Sequence, residues 1–226
     1  MTIFGPLHLT ILASIGALAA VSVRICRKSK TSLSAGRWIA GLFLTANEVV
    51  WWTFRYAHEG IHLSNLPLQL CDIAVWLAVL ACLSDAPIIL EAAYFPGLAG
   101  AVMALLTPDL SDPWPSYPDV YFFLAHGGIV ITILTLVYGT RRRFTTSAVW
   151  RAWAMVLAYA AIVGTFDWIS GANYMYLMRK PAAQSALDAM GAWPWYLASG
   201  AVLALALFWL LWIPVRTSPF GKPGLP

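Results

Sequence analysis

Two side chains in this sequence have the types that covalent group transfer requires, Cys71 and His126. A cysteine attacks as its thiolate, and an imidazole within hydrogen-bond reach can take the thiol proton and later return it to a leaving group. A third group usually orients the imidazole. Glu48, Asp72 and Asp167 are the carboxylates available, and the sequence leaves the choice among them open. Gln69, two residues before the cysteine, is a side-chain donor that could offset charge on an oxyanion. Asn173 and Tyr174 complete the group of substrate-binding or orienting candidates. Plainer readings stand beside these. A free cysteine is most often a small buried hydrophobe. A histidine inside a bundle often bonds one helix to another. Asn173 and Tyr174, with Tyr176, could simply anchor a surface loop.

The elements that must position these groups follow from composition. Of the 226 residues 60% are hydrophobic and 11% charged, against about 25% charged in a typical soluble domain. A helix needs roughly 20 mainly apolar residues to cross a bilayer. Seven such stretches fit, at 7–23, 38–56, 66–83, 88–106, 121–138, 150–169 and 193–215, predicting an all-α polytopic membrane bundle. Residues 1–216 then form one transmembrane domain, and 217–226, rich in proline and glycine, a loose tail. The first stretch lacks a basic leader and is followed by positive charge, so it reads as a retained helix. Pro87 fits the first turn of the fourth helix, where its missing N–H costs nothing.

Charge sets the expected orientation. Eleven of the fourteen Lys and Arg fall in the first loop, the fifth loop and the tail, which share one side if there are seven spans. The positive-inside rule then places the N-terminus outside and the C-terminus in the cytoplasm, in a multi-pass protein of the cell membrane. The basic balance of +4 is thereby read as topology and not as a nucleic-acid footprint. The outer side carries the longest loops, one of them with four prolines and with Asp109, Asp112 and Asp119.

Ionisable groups inside lipid are costly, so each one marks a functional candidate. On the predicted spans Cys71 and His126 both lie about 8 Å below the outer boundary and Glu48 about 10 Å. Asp167 lies nearer the rim. Convergence on one level suggests a single polar pocket opening outward. Other chemistries find less footing. His58 and His62 are four apart, but no third ligand has convincing spacing, so no metal site is expected. The three cysteines have no regular spacing and do not form a disulfide framework. No zinc-protease, nucleophile-elbow or phosphate-loop motif occurs, and no cofactor is expected. No lysine falls within a span, which argues against a retinal-type photoreceptor.

Several segments resemble motifs of the YwaF-like bacterial integral membrane proteins. They are Phe4-Gly5-Pro6-Leu7-His8, Leu66-Pro67-Leu68-Gln69-Leu70-Cys71-Asp72, Tyr94-Phe95-Pro96-Gly97-Leu98, Phe122-Phe123-Leu124-Ala125-His126-Gly127-Gly128 and Asn173-Tyr174-Met175-Tyr176-Leu177. Their order spans most of the chain. That family is similar to a eukaryotic polytopic protein that acts as a cysteine-dependent phospholipid acyltransferase. The resemblance implies Cys71 as the acylated nucleophile, His126 as its base, and a membrane phospholipid or lysophospholipid as partner. A small transporter or proton-coupled permease using Glu48, Asp72 and Asp167, or a lipid-binding protein without chemistry, are the alternatives from other classes. Oligomeric state is not legible in the sequence.

Overall fold

The computed structural model of the chain describes residues 1–108, 110, 114–181 and 186–217. Asp109, Asp112 and Pro113 of the proline-rich loop, and the expected tail after Thr217, lie outside the described residues. Among the described residues seven helices longer than two turns follow one another: α1 (Pro6–Cys26), α2 (Lys30–Glu59), α3 (Leu70–Leu83), α4 (Pro87–Leu106), α5 (Tyr117–Gly139), α6 (Thr146–Ser170) and α7 (Trp195–Val215). Among the described residues there is no β-strand beyond an isolated Phe144–Arg216 bridge. Five of the helices, α1, α4, α5, α6 and α7, are long and apolar enough to cross a membrane. The α2 helix is longer but more polar, and α3 is apolar but only 14 residues long.

The α3 helix begins at Leu70, not at residue 66 as the hydropathy suggests. Pro67 has no N–H to give a helix, and the chain bends there instead, the Leu68 N–H donating to the Leu66 carbonyl at 2.8 Å. Gln69 then caps the helix in extended conformation, and Asp72 accepts its backbone N–H at 3.0 Å. The result is a helix of about 21 Å, short of the roughly 30 Å hydrocarbon core. Non-helical backbone at such depth must have its polar groups satisfied by protein. The Tyr174 hydroxyl accepts from the Leu66 N–H at 2.6 Å, and the Tyr159 hydroxyl donates to the Leu68 carbonyl at 2.9 Å.

The α5 helix is the axis of the bundle. Within its apolar window 72% of residues are buried, against 11% for α1 and α7, whose outward faces carry large apolar side chains suited to lipid. Gly127 and Gly128 let neighbours close on α5. A Cβ on Gly127 would meet Ile15 of α1 at 2.9 Å, and one on Gly128 would meet Leu44 of α2 at 2.7 Å. The α4 helix passes through a π-turn over Ala93–Gly97, because Pro96 cannot donate to the ladder. Tyr94 and Phe95 from this turn are fully buried against Phe144 and Phe208.

The basic clusters gather at one end of the bundle. Arg37 and Arg142 both reach Asp85, Arg27 donates to the Tyr138 carbonyl, and Arg143 donates to the Pro214 carbonyl. The opposite end is tied by His8, which accepts the Phe4 N–H at Nδ1 and bonds the Leu105 carbonyl through Nε2 at 2.8 Å.

Candidate functional site

A cavity of about 750 Å³ opens among α2, α3, α4, α5 and α7 and the loop after α6. Cys71, His126, Gln69 and Asp72 all line it. Cys71 is the second residue of α3 and half-buried, whereas Cys26 and Cys82 are buried elsewhere. Its position differs from the sequence expectation of a cysteine five residues into a helix. The thiol instead sits on the first turn of the helix. First-turn N–H groups have no intrahelical acceptor and favour negative charge.

His126 lines the same cavity from α5. Its Nδ1 lies 2.8 Å from the Phe122 carbonyl, one turn back on its own helix. A carbonyl only accepts, so Nδ1 carries the proton and Nε2 of the neutral ring keeps its lone pair. The Phe122 ring packs against the imidazole with centroids 4.2 Å apart. The imidazole is therefore oriented by a backbone carbonyl, a partner that sequence reasoning sought among carboxylates.

Those carboxylates have other attachments. Glu48, fully buried on α2, accepts from Trp52 Nε1 at 2.7 Å and from the Tyr121 hydroxyl at 2.8 Å. It stands behind the cavity wall that Tyr121 forms, and Arg55 pairs with Glu59 instead. Asp72 serves the α3 cap. Asp167, 1% exposed, lies under the loop after α6 and does not line the cavity. The Tyr174 N–H faces it, yet neither carboxylate oxygen completes a hydrogen bond among the described residues.

Asn173 and Tyr174 shape that loop. The Asn173 side-chain Oδ1 accepts from the N–H groups of Met178 and Arg179. The Tyr174 hydroxyl donates to Leu63 while accepting from Leu66, and burial pushes its phenol up from the ordinary range. Met175 and Tyr176, both at positive φ, line the cavity in their place. Gln69 Oε1 accepts the Met175 N–H at 2.9 Å, so this side chain fastens the loop to the α3 cap. His58 and His62 each use a ring nitrogen on a carbonyl of the same turn, at Phe54 and Glu59.

Sequence reasoning passed over Asp119 and Glu91, and expected Arg55 only in a structural ion pair. Arg55 and Asp119 line the cavity. Asp119 was visible only as one acid of a loop, although its place seven residues before His126 puts both on one face of α5. Glu91 was absent from the intramembrane group. It is 4% exposed and held by Arg151 through contacts of 2.6 and 2.9 Å.

The TMEM164 family profile matches residues 3–212, nearly the whole described bundle. The chain belongs to the TMEM164 family. It is an integral, multi-pass membrane protein, as its five apolar helices also indicate. No curated protein and no solved structure matches the chain. The family match covers every residue that lines the cavity, so the cavity lies wholly within the family region.

Proposed function

We propose that this TMEM164-family protein is a phospholipid acyltransferase of the cell membrane that carries a fatty acyl chain on Cys71, with His126 as proton carrier. The observation that supports it best is that a half-buried thiol and an imidazole line one cavity, the imidazole bound through Nδ1 with no partner at Nε2 among the described residues. The likeness to the YwaF-like proteins, and through them to a eukaryotic cysteine-dependent acyltransferase, points the same way. A cavity of about 750 Å³ falls in the size class that holds a lipid-like ligand.

The reaction balances as two acyl transfers. His126 Nε2 takes the Cys71 proton, and the thiolate attacks the ester carbonyl of a donor phospholipid. The tetrahedral intermediate collapses with cleavage of the ester C–O bond. The imidazolium gives its proton to the departing lysolipid oxygen, leaving an acyl thioester on Cys71. An acceptor hydroxyl then attacks the thioester while Nε2 takes its proton, and the thiolate leaves to be reprotonated. Cys71 on the first turn of α3 lies at the positive end of the helix dipole, which suits the developing negative charge. Seven membrane crossings, with the basic end in the cytoplasm, put this cavity in the outer half of the bilayer, at the level of glycerol esters.

The test is labelling of purified protein by an electrophilic lipid probe, followed by acyl transfer from a phospholipid to a lysophospholipid. Cys71→Ser should abolish labelling, and His126→Ala should slow it by about 10²–10⁴. Cys82→Ala should change nothing. Equal labelling of wild type and His126→Ala, with both folded, would sink the dyad. A lipid-binding role without chemistry predicts that Cys71→Ser retains lipid affinity and that wild type transfers nothing.

A further inference from the structure

The dyad accounts for one side of the cavity. The other side is formed by α4 and α7, and every residue they contribute to it is apolar. These two helices run antiparallel and are tied together toward the basic end of the bundle. The Tyr94 hydroxyl donates to the Leu211 carbonyl at 2.9 Å, and the Phe95 and Phe208 ring centroids are 5.8 Å apart. Carried toward the opposite end, that register sets Gly100 and Met103 of α4 against Leu203 and Gly200 of α7. All four line the cavity.

Close packing does not explain these two glycines. Gly127 and Gly128 admit neighbours to 2.9 and 2.7 Å of a would-be Cβ, whereas a Cβ on Gly200 would meet nothing within 4 Å. One on Gly100 would meet only Leu70, at 4.0 Å. Glycine weakens a helix, so two of them facing an open space need a reason. Leu70 directly precedes Cys71, and a Cβ on Gly97, one turn before Gly100, would touch Ala74 at 3.6 Å. The glycine face of α4 therefore runs along the start of α3, where the thiol is.

The space also opens sideways. Met103 and Leu203 line the cavity and are yet 38% and 39% exposed, which puts them at its rim. Gly200 lies about 8 Å inside Trp195, which is 71% exposed at the end of α7 where an interfacial tryptophan belongs. The opening thus faces the hydrocarbon and not the headgroups. The space it leads to holds Cys71 and His126, the imidazole 6% exposed and without a partner at Nε2 among the described residues.

We infer that the cleft between the outer halves of α4 and α7 is the lateral entrance for a fatty acyl chain, and that Gly200, with Gly100 opposite, keeps it open from the membrane to Cys71. The inference rests on the lipid reading above and adds the route by which the chain reaches the thiol.

The experiment compares two thiol reagents with one reactive group, N-ethylmaleimide and N-hexadecylmaleimide, on the full-length protein in detergent. The rate of Cys71 modification is followed by peptide mass spectrometry. Gly200→Phe should slow the hexadecyl reagent about tenfold or more, the equivalent of two methylenes kept from burial, and leave the ethyl reagent unchanged. Leu203→Trp, at an exposed rim position on which folding does not depend, should give the same split even if Gly200→Phe does not fold. Gly16→Phe, on α1 where a Cβ also meets nothing within 4 Å but away from the cavity, should alter neither rate. Equal slowing of both reagents, or no slowing of either, in folded Leu203→Trp overturns the inference. The reagents report the route to the thiol whether or not the protein transfers acyl groups. The split without acyl transfer keeps the entrance and removes the enzyme, and acyl transfer without the split keeps the enzyme and removes the entrance.

Discussion

With Nδ1 of His126 committed to the Phe122 carbonyl, the proton that a carboxylate holds in a familiar triad is already taken. Glu48 is then best understood through the groups it satisfies. Buried at 0% exposure, it accepts from Trp52 and Tyr121 at once, and so fixes the Tyr121 wall of the cavity. Glu48→Ala strips two buried donors of their acceptor, each worth about 1–3 kcal/mol. Thermal unfolding in detergent should show a clear loss for Glu48→Ala and a much smaller one for Glu48→Gln, which keeps an acceptor oxygen. Equal losses would mean that the carboxylate charge itself matters.

Among the elements, α3 has the most unusual construction. A short helix starting inside the bundle leaves the 66–69 backbone in need of partners, and Tyr159, Tyr174 and Asp72 provide them. The loop between α2 and α3 is braced in turn by Arg55, Glu59 and Asn65, the Asn65 amide donating to the Gly60 carbonyl at 2.8 Å. The hydrogen bond from Arg55, more than any other influence, holds the Glu59 carboxyl below the usual glutamate range. A lowered carboxylate stabilises above its ordinary titration, and that contribution is lost as pH falls through the lowered value. Wild type should therefore lose slightly more stability than Glu59→Gln when melting is compared at neutral pH and on the acid side of the glutamate range. The difference should be small and shrink with salt, because Glu59 is half exposed.

At the scale of the whole molecule, a tightly packed centre of α3, α4 and α5 is wrapped by α1, α2, α6 and α7. Arg151 of α6 pairs across that boundary with the buried Glu91 of α4. Arg151→Ala leaves Glu91 buried without its cation, at a cost of about 2–3 kcal/mol, tempered because Arg151 itself is half exposed. The double change Arg151→Leu with Glu91→Leu should recover most of that loss, as measured by melting. Failure of the double variant to recover would mean that the pair also specifies how α6 docks.

Much of the fold was legible in the sequence because lipid imposes simple rules. Long apolar runs gave the positions of the helices, and Pro87 marked the entry to α4 within a residue. The start of α3 was misplaced by hydropathy, since apolar Leu66 and Leu68 are half-buried in a bend before the helix as readily as within it. The candidate residues were chosen on type and depth, and Cys71, His126, Gln69 and Asp72 do share one cavity. Depth says nothing about azimuth, however. It could not separate Asp167, which does not line the cavity, from Asp72, which does. Gly127 and Gly128 allowed either a ligand or close packing, and only the approach of Ile15 and Leu44 decides for packing. By itself, then, the sequence determined the helical membrane class and the short set of reactive side chains, because burial of charge in lipid is selective whatever the packing. The tertiary structure alone decided which of them share a cavity and what orients His126, because hydrogen bonds are fixed by directions that one-dimensional spacing does not contain.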